Sequence, residues 1–102
     1  MLTARNPEGF LLDLHAWNIT IAKEIAIEES IELSAEHIKI LEILREFYLE
    51  YKLHPGMRVL IKLLQQKMQL SNIDSIYIHV RFPQGIKQIS KIAGLPKPIN
   101  CI

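Results

Sequence analysis

The residue type best suited to covalent chemistry occurs once in this chain, as Cys101, the next-to-last of 102 residues. A cysteine thiolate can attack the outer sulfur of a donor persulfide and later surrender it to a second thiolate or an activated substrate, both sulfur–sulfur exchange steps. A free thiol with a pKa of about 8.5 is only a few per cent ionised at neutral pH. The neighbouring C-terminal carboxylate of Ile102 opposes ionisation further. Activation of such a thiol therefore falls mostly to a partner's site.

Cys101 ends the stretch Gly94-Leu95-Pro96-Lys97-Pro98-Ile99-Asn100-Cys101-Ile102. Prolines at alternate positions exclude helix and favour an extended, stiff segment. Seven residue steps separate Gly94 from Cys101, a reach of about 20–25 Å when extended. The pattern is that of an arm that is inserted into a partner, loaded, withdrawn and presented elsewhere.

Other chemistries fit less well. One cysteine forms no internal disulfide. His15, His37, His54 and His79 show no metal-ligand spacing, so neither a metal nor any other cofactor is expected. A stand-alone cysteine hydrolase needs a base and an oxyanion hole preorganised against the nucleophile, which a flexible arm does not offer. Asn18-Ile19-Thr20 matches a glycosylation pattern, but without a secretory leader it carries no weight. No apolar run is long enough to span a membrane, and a cytoplasmic location is expected.

The elements that must position the arm read as helices. Asn6-Pro7-Glu8-Gly9 is a turn whose apolar flanks permit a small hairpin. Asp13 caps a first helix to about Glu29, with Trp17, Ile21 and Ile25 as its buried stripe. Ser34 caps a second helix to about Lys52, with Ile40, Ile43, Leu44, Phe47 and Tyr51 on one face and Lys39, Glu42, Glu46 and Glu50 opposite. Arg45 falls at the edge of the apolar arc, either with its stem lying on the core or as a positioned basic group. Leu53-His54-Pro55-Gly56 breaks the chain before a third helix carrying Val59, Leu60, Leu63, Leu64 and Met68. A short fourth helix or a turn spans Ser75 to Phe82, and a fifth helix can run from about Gly85 to Ala93, stopped by Gly94.

Charge is divided along the chain. Residues 1–51 hold four Lys or Arg against ten acids, −6, while residues 52–102 hold eight against Asp74 alone, +7, for a net charge of +1. Either the second half meets an acidic partner or nucleic acid, or the two halves attract each other. Arg81, Lys87, Lys91 and Lys97 recur towards the arm. With Arg45, Gly94, Leu95, Pro96, Pro98 and Ile102 they form the candidate partner-binding set.

Ile92-Ala93-Gly94-Leu95-Pro96-Lys97-Pro98 with a penultimate Cys101 resembles the C-terminal signature of the DsrC/TusE family. Three further stretches agree: Ser30-Ile31-Glu32-Leu33, where the family has Gly-Ile-Glu-Leu; Arg45-Glu46-Phe47-Tyr48-Leu49-Glu50; and Phe82-Pro83-Gln84-Gly85. With Trp17, the resemblance covers the chain from Gly9 to Ile102. It departs at Ile38, where the family commonly has tryptophan, at Ile86, where a proline often follows Phe-Pro-x-Gly, and in a shorter N-terminus.

The resemblance implies a mainly α fold: a small orthogonal helical bundle with a minor N-terminal β-hairpin and a mobile C-terminal arm. Residues 1–102 would form a single domain, with 94–102 as the arm. It also implies a persulfide-carrying sulfurtransferase. DsrC-type partners of sulfite reductase have a second cysteine where this chain has Ser90, and serine cannot join a disulfide or trisulfide. The chain therefore looks like the TusE branch. That branch implies sulfur received on Cys101 from TusD of a TusBCD-type complex and passed to an MnmA-type thiouridylase, with bound tRNA, for 2-thiolation of the wobble uridine. A rival reading is a helix-turn-helix nucleic-acid binder built from the second helix, the His54-Pro55-Gly56 turn and the third helix with Arg58, Lys62 and Gln65.

Overall fold

The computed structural model describes residues 4–98. Its helices are α1 (Ile19–Glu28), α2 (Ala35–Tyr51), α3 (Met57–Met68), α4 (Ser75–Arg81) and α5 (Ile86–Ile92). The expected mainly α bundle is what forms.

The first helix is shorter than the sequence suggests. Asp13 caps only a 3-10 turn, Leu14–Ala16, by accepting from the His15 amide. Trp17 is extended (φ −73°, ψ 142°), and Asn18 then caps α1 through the Ile21 amide. Two adjacent cap residues compete here, and the break between them lets Trp17 leave the helix and reach α5. The N-terminal hairpin contracts to one antiparallel bridge, Arg5 to Leu11, among the described residues. Asn6 closes its turn by accepting from the Glu8 and Phe10 amides.

α2 is the spine of the bundle. Ser34 caps it through the His37 amide, and the His37 ring returns a bond to the Ser34 amide at 3.1 Å. The other ring nitrogen lies 3.2 Å from the Arg81 carbonyl, and the ring stands edge-on to Phe82 at 5.0 Å. One histidine thus joins the start of α2 to the end of α4. Ile40, Leu41, Ile43 and Leu44 are buried along the helix. Tyr51, placed by periodicity on the same face, is instead exposed on the last turn against Phe47. α3 packs on α2 through Leu60 and Leu64, and Val59 faces out. α5 contributes Ile89 and Ile92 and packs on both α1 and α2.

Ser30, just after α1, has φ of 60°, in the left-handed region that a Cβ disfavours by about 1–2 kcal/mol. Glycine relieves that strain while adding about 0.5–1 kcal/mol of chain entropy. Ser30→Gly is therefore expected to raise stability by up to about 1 kcal/mol, read as a higher denaturation midpoint with unchanged slope.

Candidate functional site at the root of the arm

The arm does not leave the body at Gly94. Gly94, Leu95 and Pro98 are buried, while Pro96 and Lys97 face solvent. Leu95 belongs to the main core, and its amide donates to the Ser90 carbonyl at 2.9 Å. The mobile segment expected from Gly94 onward is therefore docked through Pro98. Ile99, Asn100 and the candidate site residues Cys101 and Ile102 lie outside the described residues.

A polar clamp fixes the root. The Trp17 indole Nε1 donates to the Ile92 carbonyl at 2.8 Å. Arg45 donates to the Ala93 carbonyl at 2.8 Å and to the Leu14 carbonyl at 3.0 Å, with its guanidinium 4.4 Å from the centre of the Trp17 ring. These bonds satisfy carbonyls left open at the end of α5 and around the 3-10 turn. Burial pushes the Arg45 pKa down, yet guanidinium stays charged in proteins. Gly94 has φ of +74°, and a Cβ there would lie 2.5 Å from Trp17 Cδ1. Arg45, a partner-binding candidate by sequence, is thus committed to the arm's root within the chain.

The remaining basic candidates are distributed differently. Lys91 pairs with Glu29 at 2.9 Å, both side chains largely covered, and Gln88 donates to the same carboxylate. The Lys91 ammonium, aided by Gln88 and opposed by burial, holds the Glu29 carboxyl below its usual pKa. Lys97 pairs with Glu8 at 2.9 Å on the surface, a contact of small energetic value. Arg81 lies over the Tyr77 ring at 3.7 Å, and Lys87 is exposed. Two of the ion pairs, Lys91–Glu29 and Lys97–Glu8, join the basic second half to the acidic first half. Mutual attraction therefore accounts for part of the charge division.

The docked arm borders a cleft of about 290 Å³ lined by Tyr48, Lys52, Leu53, His54, Pro96, Lys97 and Pro98. His54 was legible in the sequence only as part of a helix break. Its ring packs on Tyr48 at 4.9 Å, and Nδ1 is 3.3 Å from the hydroxyl of fully buried Ser90. Its Nε2 is shielded from solvent without a hydrogen-bond partner among the described residues. The Pro96 carbonyl favours the protonated ring without meeting hydrogen-bond geometry. Burial outweighs it and lowers the His54 pKa below the ordinary value of 6.5. Ser90 is thus the polar link between α5 and the wall of the arm cleft.

The sign of the pH effect follows. Burial also lowers the pKa of His37. The unfolded chain therefore takes up protons on both rings first as pH falls through about 6.5. Stability is expected to be full above that value and to decline below it until the folded-state rings protonate as well. Thermal melts between about pH 7.5 and pH 5.5 should show this decline, and His54→Gln together with His37→Gln should flatten it.

The family model described as "DsrC like protein" matches residues 2–102. The chain is 44% identical over 99 residues to Sulfurtransferase TusE of Buchnera aphidicola subsp. Acyrthosiphon pisum, covering 96% of this chain and 87% of that one. It is 46% identical over 96 residues to Sulfurtransferase TusE of Salmonella choleraesuis, covering 93% and 88%. Among solved structures, Allochromatium vinosum DsrC superposes with a TM-score of 0.85 at 39% identity, covering 95% and 88%. The oxidized gamma-subunit of the dissimilatory sulfite reductase (DsrC) from Archaeoglobus fulgidus gives 0.86 at 33% identity, covering 98% and 92%.

Proposed function

The chain belongs to the DsrC-like protein family, and from that membership we propose that it is a sulfurtransferase of the TusE type that carries sulfur as a persulfide on Cys101. The observation that carries the reading is the similarity to relatives named Sulfurtransferase TusE over nearly the whole chain, in a sequence whose one thiol is penultimate. Ser90 supports this branch over a two-cysteine DsrC mechanism, because a serine hydroxyl cannot close a disulfide with Cys101.

The transfer runs as two exchanges. The Cys101 thiolate attacks the outer sulfur of a donor cysteine persulfide; a new S–S bond forms, the donor's S–S bond breaks, and the donor leaves as a thiolate. The outer sulfur now on Cys101 is then attacked by an acceptor thiolate, and Cys101 leaves as a thiolate in turn. Neither exchange consumes an oxidant or a reductant; the later insertion of this sulfur into uridine as a thiocarbonyl takes two electrons, supplied by thiols that are oxidised to a disulfide. The donor is a TusD-type subunit of a TusBCD complex. The acceptor is an MnmA-type thiouridylase with bound tRNA, so that the sulfur reaches position 2 of the wobble uridine in the cytoplasm.

The body's task in this scheme is placement. Trp17, Arg45 and Gly94 fix where the arm begins, and Leu95 and Pro98 seat it against the body. The segment beyond then delivers the thiol to a partner that activates it. The reading is tested by incubating the purified protein with a persulfide-loaded TusD-type donor and analysing the intact protein and its peptides by mass spectrometry. A gain of one sulfur on the peptide carrying Cys101 is expected, with its loss on addition of the thiouridylase, tRNA and ATP and the appearance of 2-thiouridine. Absence of any sulfur on that peptide would reject the reading.

A further inference from the structure

The docked arm sets a short tether. Pro98 is buried against the cleft, and Cys101 follows it by three residues, so with the arm docked covalent geometry keeps the thiol within about 13 Å of Pro98. A donor cysteine must come that close to exchange sulfur. A standard protein interface buries about 800 Å² on each partner, equivalent to a disc of roughly 16 Å radius. A globular donor that meets the thiol therefore also covers the body beside the cleft.

That surface has a distinct character. Leu53, on the cleft wall, is 54% exposed, and Val59 on the first turn of α3 is 49% exposed. Single exposed aliphatics are ordinary on any surface. Here they alternate with exposed Lys52, Arg58 and Lys62, and α3 contains no acid between Met57 and Met68. None of these cations forms an ion pair within the described residues, in contrast to Lys91 and Lys97, which are engaged by Glu29 and Glu8. Exposed aliphatics interspersed with arginine and lysine are a composition suited to binding a protein surface of opposite charge.

We propose that Lys52, Leu53, Arg58, Val59 and Lys62, beside the arm cleft, form the docking surface for the persulfide-bearing donor protein, which presents an apolar patch rimmed by carboxylates. The proposal rests on the reading that Cys101 accepts sulfur. It moves the contact from the basic α5 face suggested by sequence to the α2–α3 connection and the first half of α3.

The test compares two sulfur sources on the full chain. Initial rates of sulfur gain on Cys101 are measured with a persulfide-loaded TusD-type donor at subsaturating concentration and with glutathione persulfide. Arg58→Glu combined with Val59→Glu lies on an exposed helix face outside the cleft lining, and circular dichroism and melting confirm its fold. The expected result is a loss of about tenfold or more in loading by the protein donor, with loading by glutathione persulfide within about twofold of wild type. Added salt should slow the protein donor and leave glutathione persulfide unaffected. A control, Ile76→Ser with Val80→Ser, alters exposed apolar residues of α4 that do not line the cleft and should load normally from both sources. Unchanged loading of the α3 variant by the protein donor would overturn the docking surface while leaving the carrier reading intact. Failure of wild-type Cys101 to gain sulfur from either source would reject both.

Discussion

Cys101→Ser is expected to abolish sulfur acceptance outright, with no one-sulfur adduct from a protein persulfide or from glutathione persulfide. Serine keeps the size and polarity of the side chain but offers a hydroxyl that is un-ionised at neutral pH and forms no stable bond to the transferred sulfur. The substitution falls three residues beyond Pro98, the last described position. The melting temperature should therefore match wild type, which separates loss of chemistry from loss of fold. The complementary variant, Ser90→Cys, puts a thiol at the fully buried position that contacts His54. Accumulation of an internal disulfide in that variant, with reduced loading from the donor, would show how the serine keeps Cys101 available.

Gly94→Ala should be the most damaging single change to the root of the arm. The residue occupies φ of +74°, and its Cβ would approach Cδ1 and Cγ of the Trp17 ring at 2.5 and 2.9 Å and the Trp17 Cβ at 3.0 Å. Left-handed strain costs about 1–2 kcal/mol, and forcing an extra carbon into a packed site costs about 1–3 kcal/mol. A destabilisation of about 2–5 kcal/mol is therefore expected. If the Trp17 ring is displaced instead, its bond to the Ile92 carbonyl is lost, and the arm should undock. Chemical denaturation measures the first effect; faster proteolysis after residue 93 and altered tryptophan fluorescence report the second. Trp17→Ala in the Gly94→Ala background should recover less than the full loss, because it removes the ring contacts and leaves the left-handed strain and the close approach of the Trp17 Cβ.

Much of this architecture was legible from the residues. Ser34, the apolar face of α2 and the stop at Gly94 follow from cap chemistry and periodicity, which are local properties. The Asn6-Pro7-Glu8-Gly9 turn was equally local. What failed were assignments decided by competition or by distance. Asp13 and Asn18 are both good caps, and only the attachment of Trp17 to Ile92 decides that the helix begins at the second. Tyr51 and Val59 fit their helical stripes but stay about half exposed, at the last turn of α2 and the first turn of α3. Arg45 was recognised as lying at the edge of the apolar arc, yet its two carbonyl acceptors, Ala93 and Leu14, come from opposite ends of the chain. The same holds for His54, whose contact with Ser90 spans 36 positions. Resemblance to a family identified the reactive thiol; it did not reveal how far along the arm the body extends its grip.

The clamp around Trp17 also bears on how the chain is made. Its indole waits for a carbonyl 75 positions later, and Arg45 for one 48 positions later. Synthesis runs from the N-terminus, so α1 and α2 emerge from the ribosome while residues 92 to 102 are still enclosed or not yet joined. Neither closing bond can form until residues 92 and 93 have left the ribosome. The segment that follows those carbonyls carries the thiol. A nascent chain whose residues 92 and 93 are still enclosed therefore has an unlatched body, and latching of the body comes just before emergence of the nucleophile.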